Sequence, residues 1–305
     1  MTTTVTLALD AGQTGMRTLL ISDTGRVEGA HPGLRTDIEL FPQLASVITQ
    51  ALLSTSSPVT LSIGMTGLTS ANSKPAELLA LVPSVVSRVF LAHDSVTGFL
   101  GSIGLGDGVM TAVGTGVVTL GVGATEIARV DGWGNLIGDA GSAYWIGRAG
   151  LEAGMRAFDG RLESQALLSL VTENFSHPGE AYIELQTSGD RVARIAGFAR
   201  TVIDMAETDA HAADIVRSAG RELAISAVAA AKRVGLLDAP APRFSWTGNV
   251  MKSDLLRETF IAEVLRAVPA AVLAPPVAEP VDGVALLEHV PAGSPLMPVI
   301  HTATR

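Results

Sequence analysis

Two short glycine turns, each between two strand-like runs, restrict the folds open to this chain more than any other feature. The first turn, Asp10 to Gly15, follows the apolar run Val5–Leu9 and precedes the run Met16–Ser22. The second turn, Gly114-Thr115-Gly116, lies between two strand-like runs that start at Val109. Strand-turn-strand segments of this kind predict β-hairpins. Because the same plan restarts in mid-chain, we predict two lobes of similar construction.

Helical and strand-like patterns alternate after the first hairpin. A third strand is predicted at Arg26–Ala30, and the elements that follow are a helix at 42–54, a strand at 59–65, a helix at 75–82 and a strand at 86–92. After the second hairpin we predict helices through most of 142–234, a strand at 243–246, a turn at 247–249, a helix from about 253 and a short helix at 281–288. This alternation is typical of the α/β class.

The domain prediction follows from the strand-turn-strand pattern that occurs a second time in mid-chain. We expect an N-terminal lobe at 1–100 and a C-terminal lobe at 101–305, divided near the glycine-rich loop after a short helix. The last helix, at about 281–289, is expected to pack back on the N-terminal lobe.

Composition excludes several classes of protein. The 305 residues contain no cysteine, which rules out disulfides, cysteine-bound zinc, cysteine-held iron-sulfur clusters and thiol catalysis. A net charge of −9 disfavours nucleic-acid binding. No apolar run reaches the roughly 18–20 residues of a membrane span, and the N-terminus lacks the basic start of a secretory signal. We therefore expect a cytoplasmic protein with neither a nucleic-acid nor a membrane partner.

The first glycine turn has the residue types of a phosphate site. Gly12 and Gly15 allow backbone amides to approach an anion, Thr14 can donate to a phosphate oxygen, and Asp10 can hold a hydrated Mg²⁺. An ordinary Asp-Gly turn has the same residues, but the second turn at Gly114–Gly116 favours a clamp on a polyphosphate. Neither turn is a Walker loop, since no Gly-Lys-Ser/Thr follows.

Asp94 follows directly after a predicted strand, where open α/β sheets place their ligands. It is a candidate general base, and the alternative is an N-cap for the helix that begins at Ser95. His93 has no partner at metal-ligand spacing, so the sequence assigns it no chemistry.

The stretch Asp131–Arg148 combines five glycines, two tryptophans and Asp139 around the start of a helix near Ser142. Backbone amides, a carboxylate and a helix N-terminus in one loop favour a binding site. The structural alternatives are a core role for Trp145 and an N-cap role for Asp139 or Ser142.

Within that stretch, Gly132–Arg148 resembles, nearly residue for residue, the signature of the N-acetylglucosamine kinase and BadF/BadG/BcrA/BcrD ATPase-like proteins of the actin-like ATPase superfamily. The other motifs of that family follow in the right order: Asp10–Arg17 resembles its first phosphate motif, Gly114–Gly116 the second, Thr247–Val250 the adenosine motif, and Glu279–Gly283 the segment that opens its last helix. The resemblance implies a two-lobed actin-like (ribonuclease H-like) α/β fold with ATP and sugar in the interlobe cleft.

The same resemblance implies an ATP-dependent sugar kinase. Asp94 would be the catalytic base that accepts the proton of the sugar hydroxyl, and Asp10 would hold Mg²⁺, directly or through water. The implied ATP-binding residues are Gly12, Gln13, Thr14, Arg17, Gly114, Thr115, Gly116, Gly248 and Asn249. The implied sugar-binding residues are Asp94, Thr115, Trp133, Gly134 and Asp139.

The chain departs from the family pattern at five positions. Ala11 and Gln13 replace two glycines of the first motif, and Gly15 replaces its basic residue. Arg17 lies on the same strand face as Gly15 and can compensate. Val117 replaces the serine of the second motif, and Ala140 replaces a glutamate near the sugar. The identity of the sugar therefore stays open.

The lack of cysteine excludes both the iron-sulfur activators of radical dehydratases and zinc-containing relatives. Three functional hypotheses remain. The first is a kinase for the 6-hydroxyl of glucosamine or N-acetylglucosamine. The second is a kinase for another hexose derivative, and the third is a non-catalytic nucleotide-binding regulator or scaffold. Changes at Gln13, Val117 and Ala140 favour the third, whereas the retained aspartates favour catalysis. The sequence leaves the oligomeric state open, with a homodimer as the candidate.

Overall fold

The computed structural model describes residues 5–35 and 37–305. The chain forms two compact units. Unit 1 comprises the described residues of Met1–Met110, together with Val122–Ile127 and Pro275–Arg305, and unit 2 comprises Thr111–Gly121 and Ala128–Ala274. Among the described residues, we find no helix with the length and apolar character needed to cross a membrane.

Each unit is built on one sheet. The strands of unit 1 are β1 (Val5–Ala11), β2 (Met16–Ser22), β3 (Gly25–His31), β4 (Val59–Met65), β5 (Val86–His93) and β11 (His301–Thr304). The second sheet contains β6 (Gly108–Val113), β7 (Val117–Val122), β8 (Ile127–Val130), β9 (Arg243–Thr247) and β10 (Val272–Leu273). The strand orders are β11-β5-β4-β1-β2-β3 and β10-β9-β6-β7-β8. Apart from the added edge strand β11, the two orders are the same, which confirms the predicted α/β class with a repeated plan.

Ten α-helices accompany the described strands. Those of unit 1 are α1 (Leu40–Ala51), α2 (Pro75–Leu81), α3 (Asp94–Ile103) and α10 (Pro280–Ala285). Those of unit 2 are α4 (Ala143–Phe158), α5 (Gln165–Thr172), α6 (Ala181–Thr187), α7 (Arg191–Met205), α8 (Ala210–Arg233) and α9 (Asp254–Ala267). Several helices start at a polar cap: the hydroxyls of Ser142 and Ser253 accept amide hydrogen bonds at the starts of α4 and α9.

The core of unit 1 lies against one face of its sheet. All seven residues of β4 are buried, as a central strand covered on both faces requires. Leu7 and Leu9 of β1 alternate inward, and they pack with Leu44 and Ile48 of α1 in one apolar cluster. These side chains are fully buried, so the period-2 pattern of β1 and the helical spacing of α1 meet in the same core.

The opposite face is covered by α3 and α10, which approach each other through glycine. A Cβ atom on Gly283 of α10 would lie 2.1 Å from the carbonyl oxygen of Thr97 and 2.4 Å from the amide nitrogen of Gly101. Both neighbours are backbone atoms of α3, so neither can rotate away. Only glycine at this position allows α3 and α10 to approach each other this closely.

The structure differs from the sequence-based predictions at several places. Strands β8, β10 and β11 were not predicted. The last of these pairs antiparallel with β5, and the guanidinium of Arg305 donates to the carbonyls of Pro83 and Val82 at 2.9 Å each. The N-cap of α3 is His93, while Asp94 is the first residue of the helix, so the alternative N-cap role of Asp94 was wrong.

We expect Gly283→Ala to lower the free energy of unfolding by about 1–3 kcal/mol, because the added methyl group must push α3 and α10 apart. Urea denaturation measures the change. Gly293→Ala is the matched control in the same unit, since a Cβ there meets no atom within 4 Å. Equal stability of the two variants would contradict the close packing.

Candidate active site

Three neighbouring strands of unit 1 end at one edge of the sheet with polar residues. Strands β1, β4 and β5 are parallel, with Asp10 paired to Gly64 and Met65 paired to His93. Thr66 follows β4, and Asp94 follows β5. The carboxyl ends of parallel strands meet at the same edge, which is where α/β sheets bind ligands. The fold therefore brings Asp10, Thr66 and Asp94 together.

The carboxylate of Asp94 is held in its ionised form. Burial alone would raise its pKa. The hydrogen bond and the charge of His93, the hydroxyl of Thr66 and the amide of Ser95 outweigh that effect and lower the pKa below its usual value. The Nδ1 atom of His93 lies 2.8 Å from Oδ1 of Asp94. A carboxylate that stays ionised and remains partly exposed to solvent can accept a proton from a bound hydroxyl group.

Asp10 has the opposite character. Burial is the main cause that raises its pKa to about 6; the negative charge of Asp94 adds to the rise, and the positive charge of Arg17 opposes it. Two nearby carboxylates thus leave surplus negative charge at this edge. Mg²⁺ is typically held by one or two carboxylates together with substrate phosphates, so the surplus charge fits such an ion at Asp10. The described residues contain no group of three or more His, Cys, Asp or Glu arranged to hold a metal by themselves.

The first glycine turn is closed by its own backbone and supported from behind. The amide of Gly12 donates to the carbonyl of Gly15 at 3.1 Å, and the amide of Leu34 donates to the carbonyl of Gly12 at 2.9 Å. A Cβ on Gly33 would lie 1.9 Å from the carbonyl oxygen of Gln13. The side chains of Gln13 and Thr14 are exposed, so the turn presents them to solvent.

Arg17 lies directly across the hairpin from Asp10. Its side chain is exposed, and Nη1 is 3.8 Å from a carboxylate oxygen of Glu279 at the start of α10. A pair this long and this exposed contributes little to stability. The guanidinium is therefore available to a phosphate near Asp10.

The second glycine turn, in unit 2, is tied to the start of α4. The amide of Gly114 donates to the carbonyl of Gly116 at 2.9 Å. The amides of Ala143 and Tyr144, in the first turn of α4, donate to the carbonyls of Gly114 and Thr115 at 2.9 and 3.1 Å. The turn thus occupies two amides that a helix start leaves unpaired. Thr115 itself is exposed.

Asp139 lies against this turn. A Cβ on Gly116 would be 2.7 Å from Oδ2 of Asp139, so glycine is needed for the contact. Asp139 is only 8% exposed. Burial and the charge of Asp131 raise its pKa, while the amides of Val117 and Gly134 and the charge of Arg129 oppose the rise.

Gly248 completes the group in unit 2. Its φ of 102° is in the region that favours glycine, and a Cβ there would lie 2.1 Å from the carbonyl oxygen of Val113. This contact places Gly248 and Asn249 beside the end of β6, next to the second glycine turn. Both residues are exposed.

Asp131 fixes the glycine-rich loop, although no role was predicted for it from the sequence. Its carboxylate accepts hydrogen bonds from the amides of Gly132 and Asp139 at 2.7 Å each and from Ala140 at 3.0 Å. Asp131 and Asp139 have φ values of 59° and 58°, the positive values among described residues other than glycine. The available signal was an aspartate before glycine at a strand end, a pattern typical of turns.

Trp133 lies on the surface of this loop. It is 59% exposed, and the guanidinium carbon of Arg129 is 5.1 Å from its ring centroid. That distance permits a cation–π interaction. The neighbouring residue Gly134 has a φ of 84°, which turns the chain back toward Asp139.

The predicted site residues thus form two sets. Unit 1 holds Asp10, Gly12, Gln13, Thr14, Arg17 and Asp94, and unit 2 holds Gly114, Thr115, Gly116, Trp133, Gly134, Asp139, Gly248 and Asn249. Sequence reasoning missed Thr66 and Asp131, and it dismissed His93. A threonine after a buried strand and a histidine beside an aspartate are too common to be noticed without their contacts.

Comparison with known proteins identifies the family. The model of the BadF/BadG/BcrA/BcrD ATPase family matches residues 9–287. The chain belongs to this family. A curated relative, the N-acetylmuramic acid/N-acetylglucosamine kinase of Clostridium acetobutylicum, is 32% identical over 83 residues, which are 27% of this chain and 27% of that kinase. The alignment thus spans about a quarter of the relative's length.

Solved structures of other proteins share the fold of this chain. A protein named as an N-acetylglucosamine kinase from Chromobacterium violaceum matches with a TM-score of 0.71 and 23% identity, covering 93% of this chain and 98% of that chain. A protein similarly named from Porphyromonas gingivalis matches with a TM-score of 0.69 and 18% identity over 93% and 98% of the two chains. The ROK hexokinase of Thermus thermophilus matches with a TM-score of 0.58 and 15% identity, again over 93% of this chain and 98% of that chain. The fold is thus the actin-like, ROK-type kinase fold.

We expect Asp10→Asn to stabilise the protein above about pH 6 when no divalent ion is present. The pKa of Asp10 rises from 3.8 to about 6 on folding, so the ionised carboxylate disfavours the folded state. That cost is absent well below pH 3.8, grows as the pH rises through the interval, and reaches about 2–3 kcal/mol above about pH 6. Urea denaturation in EDTA at pH 4.5 and pH 7.5 measures it. A stability gain of equal size at both pH values would contradict the assignment.

We expect the wild-type protein to be the most stable, Asp131→Gly to be less stable and Asp131→Ala to be the least stable. Both variants lose three amide hydrogen bonds to a carboxylate, together about 2–4 kcal/mol. Alanine additionally bears about 1 kcal/mol of strain at positive φ, which glycine avoids. Thermal denaturation gives the order, with the exposed Asp238→Ala as a control in the same unit. Equal loss in the glycine and alanine variants would rule out the strain.

Proposed function

We propose that this protein is an ATP-dependent sugar kinase that transfers the γ-phosphate to the 6-hydroxyl of an amino sugar, glucosamine or N-acetylglucosamine. The observation that carries the proposal is the contrast between two carboxylates at one sheet edge. The pKa of Asp94 is lowered, while that of Asp10 is raised to about 6. Two titratable groups whose environments separate their pKa values are typical of acid–base chemistry.

In the proposed reaction Asp94 accepts the proton of the sugar hydroxyl as the oxygen attacks the γ-phosphorus. The bond from that phosphorus to the β–γ bridging oxygen breaks, and ADP leaves with the electron pair. General-base assistance of this type contributes about 10²–10⁴ in rate. The rest of the catalysis is positioning and charge neutralisation, as in other phosphoryl transfers.

Since the chain has a net charge of −9, the phosphates would be bound mainly by backbone amides. The amides of Gly12 and Gly114 already donate within their turns, so these two glycines would serve by close backbone approach. In unit 1 we assign Gly12, Gln13, Thr14 and Arg17 to the phosphates, and Asp10 to Mg²⁺. In unit 2 we assign Gly114, Thr115 and Gly116 to the phosphates, and Gly248 and Asn249 to the adenosine. Bound Mg²⁺ would neutralise charge on the phosphate oxygens.

For the sugar we assign Asp139, Trp133, Gly134 and Thr115, in addition to Asp94. The exposed face of Trp133 suits the apolar side of a sugar ring. Asp139 already accepts backbone amides, so we expect its remaining lone pairs to accept from sugar hydroxyls. The preference for an amino sugar is supported by the names of the similar proteins, which are N-acetylglucosamine and N-acetylmuramic acid kinases.

The proposed partners follow from this chemistry. The substrates are small and soluble, so we place the enzyme in the cytoplasm with ATP. A homodimer is the proposed assembly, and gel filtration with light scattering would test it.

We expect Asp94→Asn to lower kcat about 10²–10⁴-fold and to leave ATP binding intact, because an amide cannot accept the proton. An ADP-release assay against glucosamine, N-acetylglucosamine, glucose, N-acetylmuramic acid and N-acetylmannosamine measures turnover. Calorimetry with a non-hydrolysable ATP analogue measures binding.

Asp23→Asn is the matched control for this experiment, since Asp23 is an exposed aspartate of the same unit. Turnover of glucose or N-acetylmannosamine alone would replace the amino-sugar assignment with another hexose. ATP binding without turnover of any sugar would instead favour the hypothesis of a non-catalytic nucleotide-binding regulator or scaffold.

A further inference from the structure

His93 is the last residue of β5 and lies next to the proposed base. Its Nδ1 atom is 2.8 Å from Oδ1 of Asp94 and 2.9 Å from Oγ of Ser95. The amide N–H of Ser95 points at the same ring nitrogen from 3.1 Å and donates to it when Nδ1 carries no proton. One nitrogen therefore has a carboxylate, a hydroxyl and an amide within hydrogen-bond distance.

The position of the ring proton follows from these neighbours. An ionised carboxylate has only acceptors, so an Nδ1 atom without a proton would repel Oδ1 at 2.8 Å. With a proton on Nδ1, the ring donates to Asp94, and the hydroxyl of Ser95 lies close enough to accept as well. The Ser95 amide then loses Nδ1 as an acceptor, and the carboxylate of Asp94 beside it is the acceptor that replaces the ring.

The carboxylate of Asp94 is consequently fixed from several directions. Its donors are the Nδ1–H group of His93, the hydroxyl of Thr66 and the amide of Ser95. A carboxylate has about four lone-pair sites, so one remains for a substrate hydroxyl. A hydrogen bond that holds one oxygen in place sets the direction of the free lone pair.

We propose that His93 is a positioning residue for the phosphotransfer reaction, donating from Nδ1 to Oδ1 of Asp94 so that the carboxylate faces the sugar hydroxyl. This inference rests on the proposed function. It gives a role to a histidine to which the sequence pattern assigned none. Removing the donor should slow the chemical step more than it weakens the binding of either substrate, since misorientation of a base acts on the transition state.

The kinetic test compares three variants. His93→Leu removes the donor, and His93→Asn keeps an N–H group near the position of Nδ1. We expect the leucine variant to lose about 10–100-fold in kcat, with the sugar KM changed less than about 3-fold, and the asparagine variant to recover most of that loss. His289→Ala is the control, because His289 is exposed in the same unit. Unchanged kcat in a folded leucine variant, or an asparagine variant as slow as leucine, overturns the proposal.

A second readout does not need turnover. Nitrogen-15 spectra of the imidazole groups report which ring nitrogen carries the proton, and the His93 signal is identified by its loss in His93→Asn. We expect a proton on Nδ1, and an unprotonated Nδ1 overturns the proposal. If the wild-type protein phosphorylates no sugar, the proposed function fails, whereas the spectrum still decides whether His93 donates to Asp94. If His93→Leu does not fold, the asparagine variant and the spectrum give the answer.

Discussion

The parallel pairing of β1, β4 and β5 forces two carboxylates to the same edge of one sheet. Asp10 is the second-last residue of β1 and Asp94 follows β5, with β4 between their strands. The register leaves no freedom to separate them, because a shift by one residue would turn every side chain of a strand to the other face. Burial, with the repulsion of Asp94 added to it, raises the pKa of Asp10, while local donors keep Asp94 ionised. The apolar core that fixes these strands thus also sets the electrostatics of the site.

In unit 2 close backbone approach has the same organising role. Gly116 admits the carboxylate of Asp139, and Gly248 admits the carbonyl of Val113. Neither position has space for a Cβ, so turns that are distant in sequence can meet at the end of β6. Two aspartates held at positive φ add strain that three amide hydrogen bonds to Asp131 offset. Strain of this type is often found at functional sites.

Much of the fold could be predicted from local patterns. The predicted strand at 59–65 coincides with β4, and the predicted helix at 75–82 is one residue longer than α2, because apolar runs and a first-turn proline are local signals. Strand β11 could not be predicted, since its four residues alternate in burial only because β5 lies beside them. The N-cap of α3 was not predicted for a related reason: Asp94, the alternative considered, has the more usual capping residue type, but its carboxylate is engaged by His93 and Thr66.

The sequence by itself determined the α/β class, the two glycine turns, the family resemblance and the residue types available for chemistry, including the absence of cysteine. Those properties depend on local periodicity and composition, which a linear chain displays directly. Only the tertiary structure decided which groups contact Asp94, why Asp139 needs Gly116, and that Asp131 holds its loop. These contacts join residues through pairing and packing, and neither the distance between two side chains nor the pKa that follows from it is encoded in spacing along the chain.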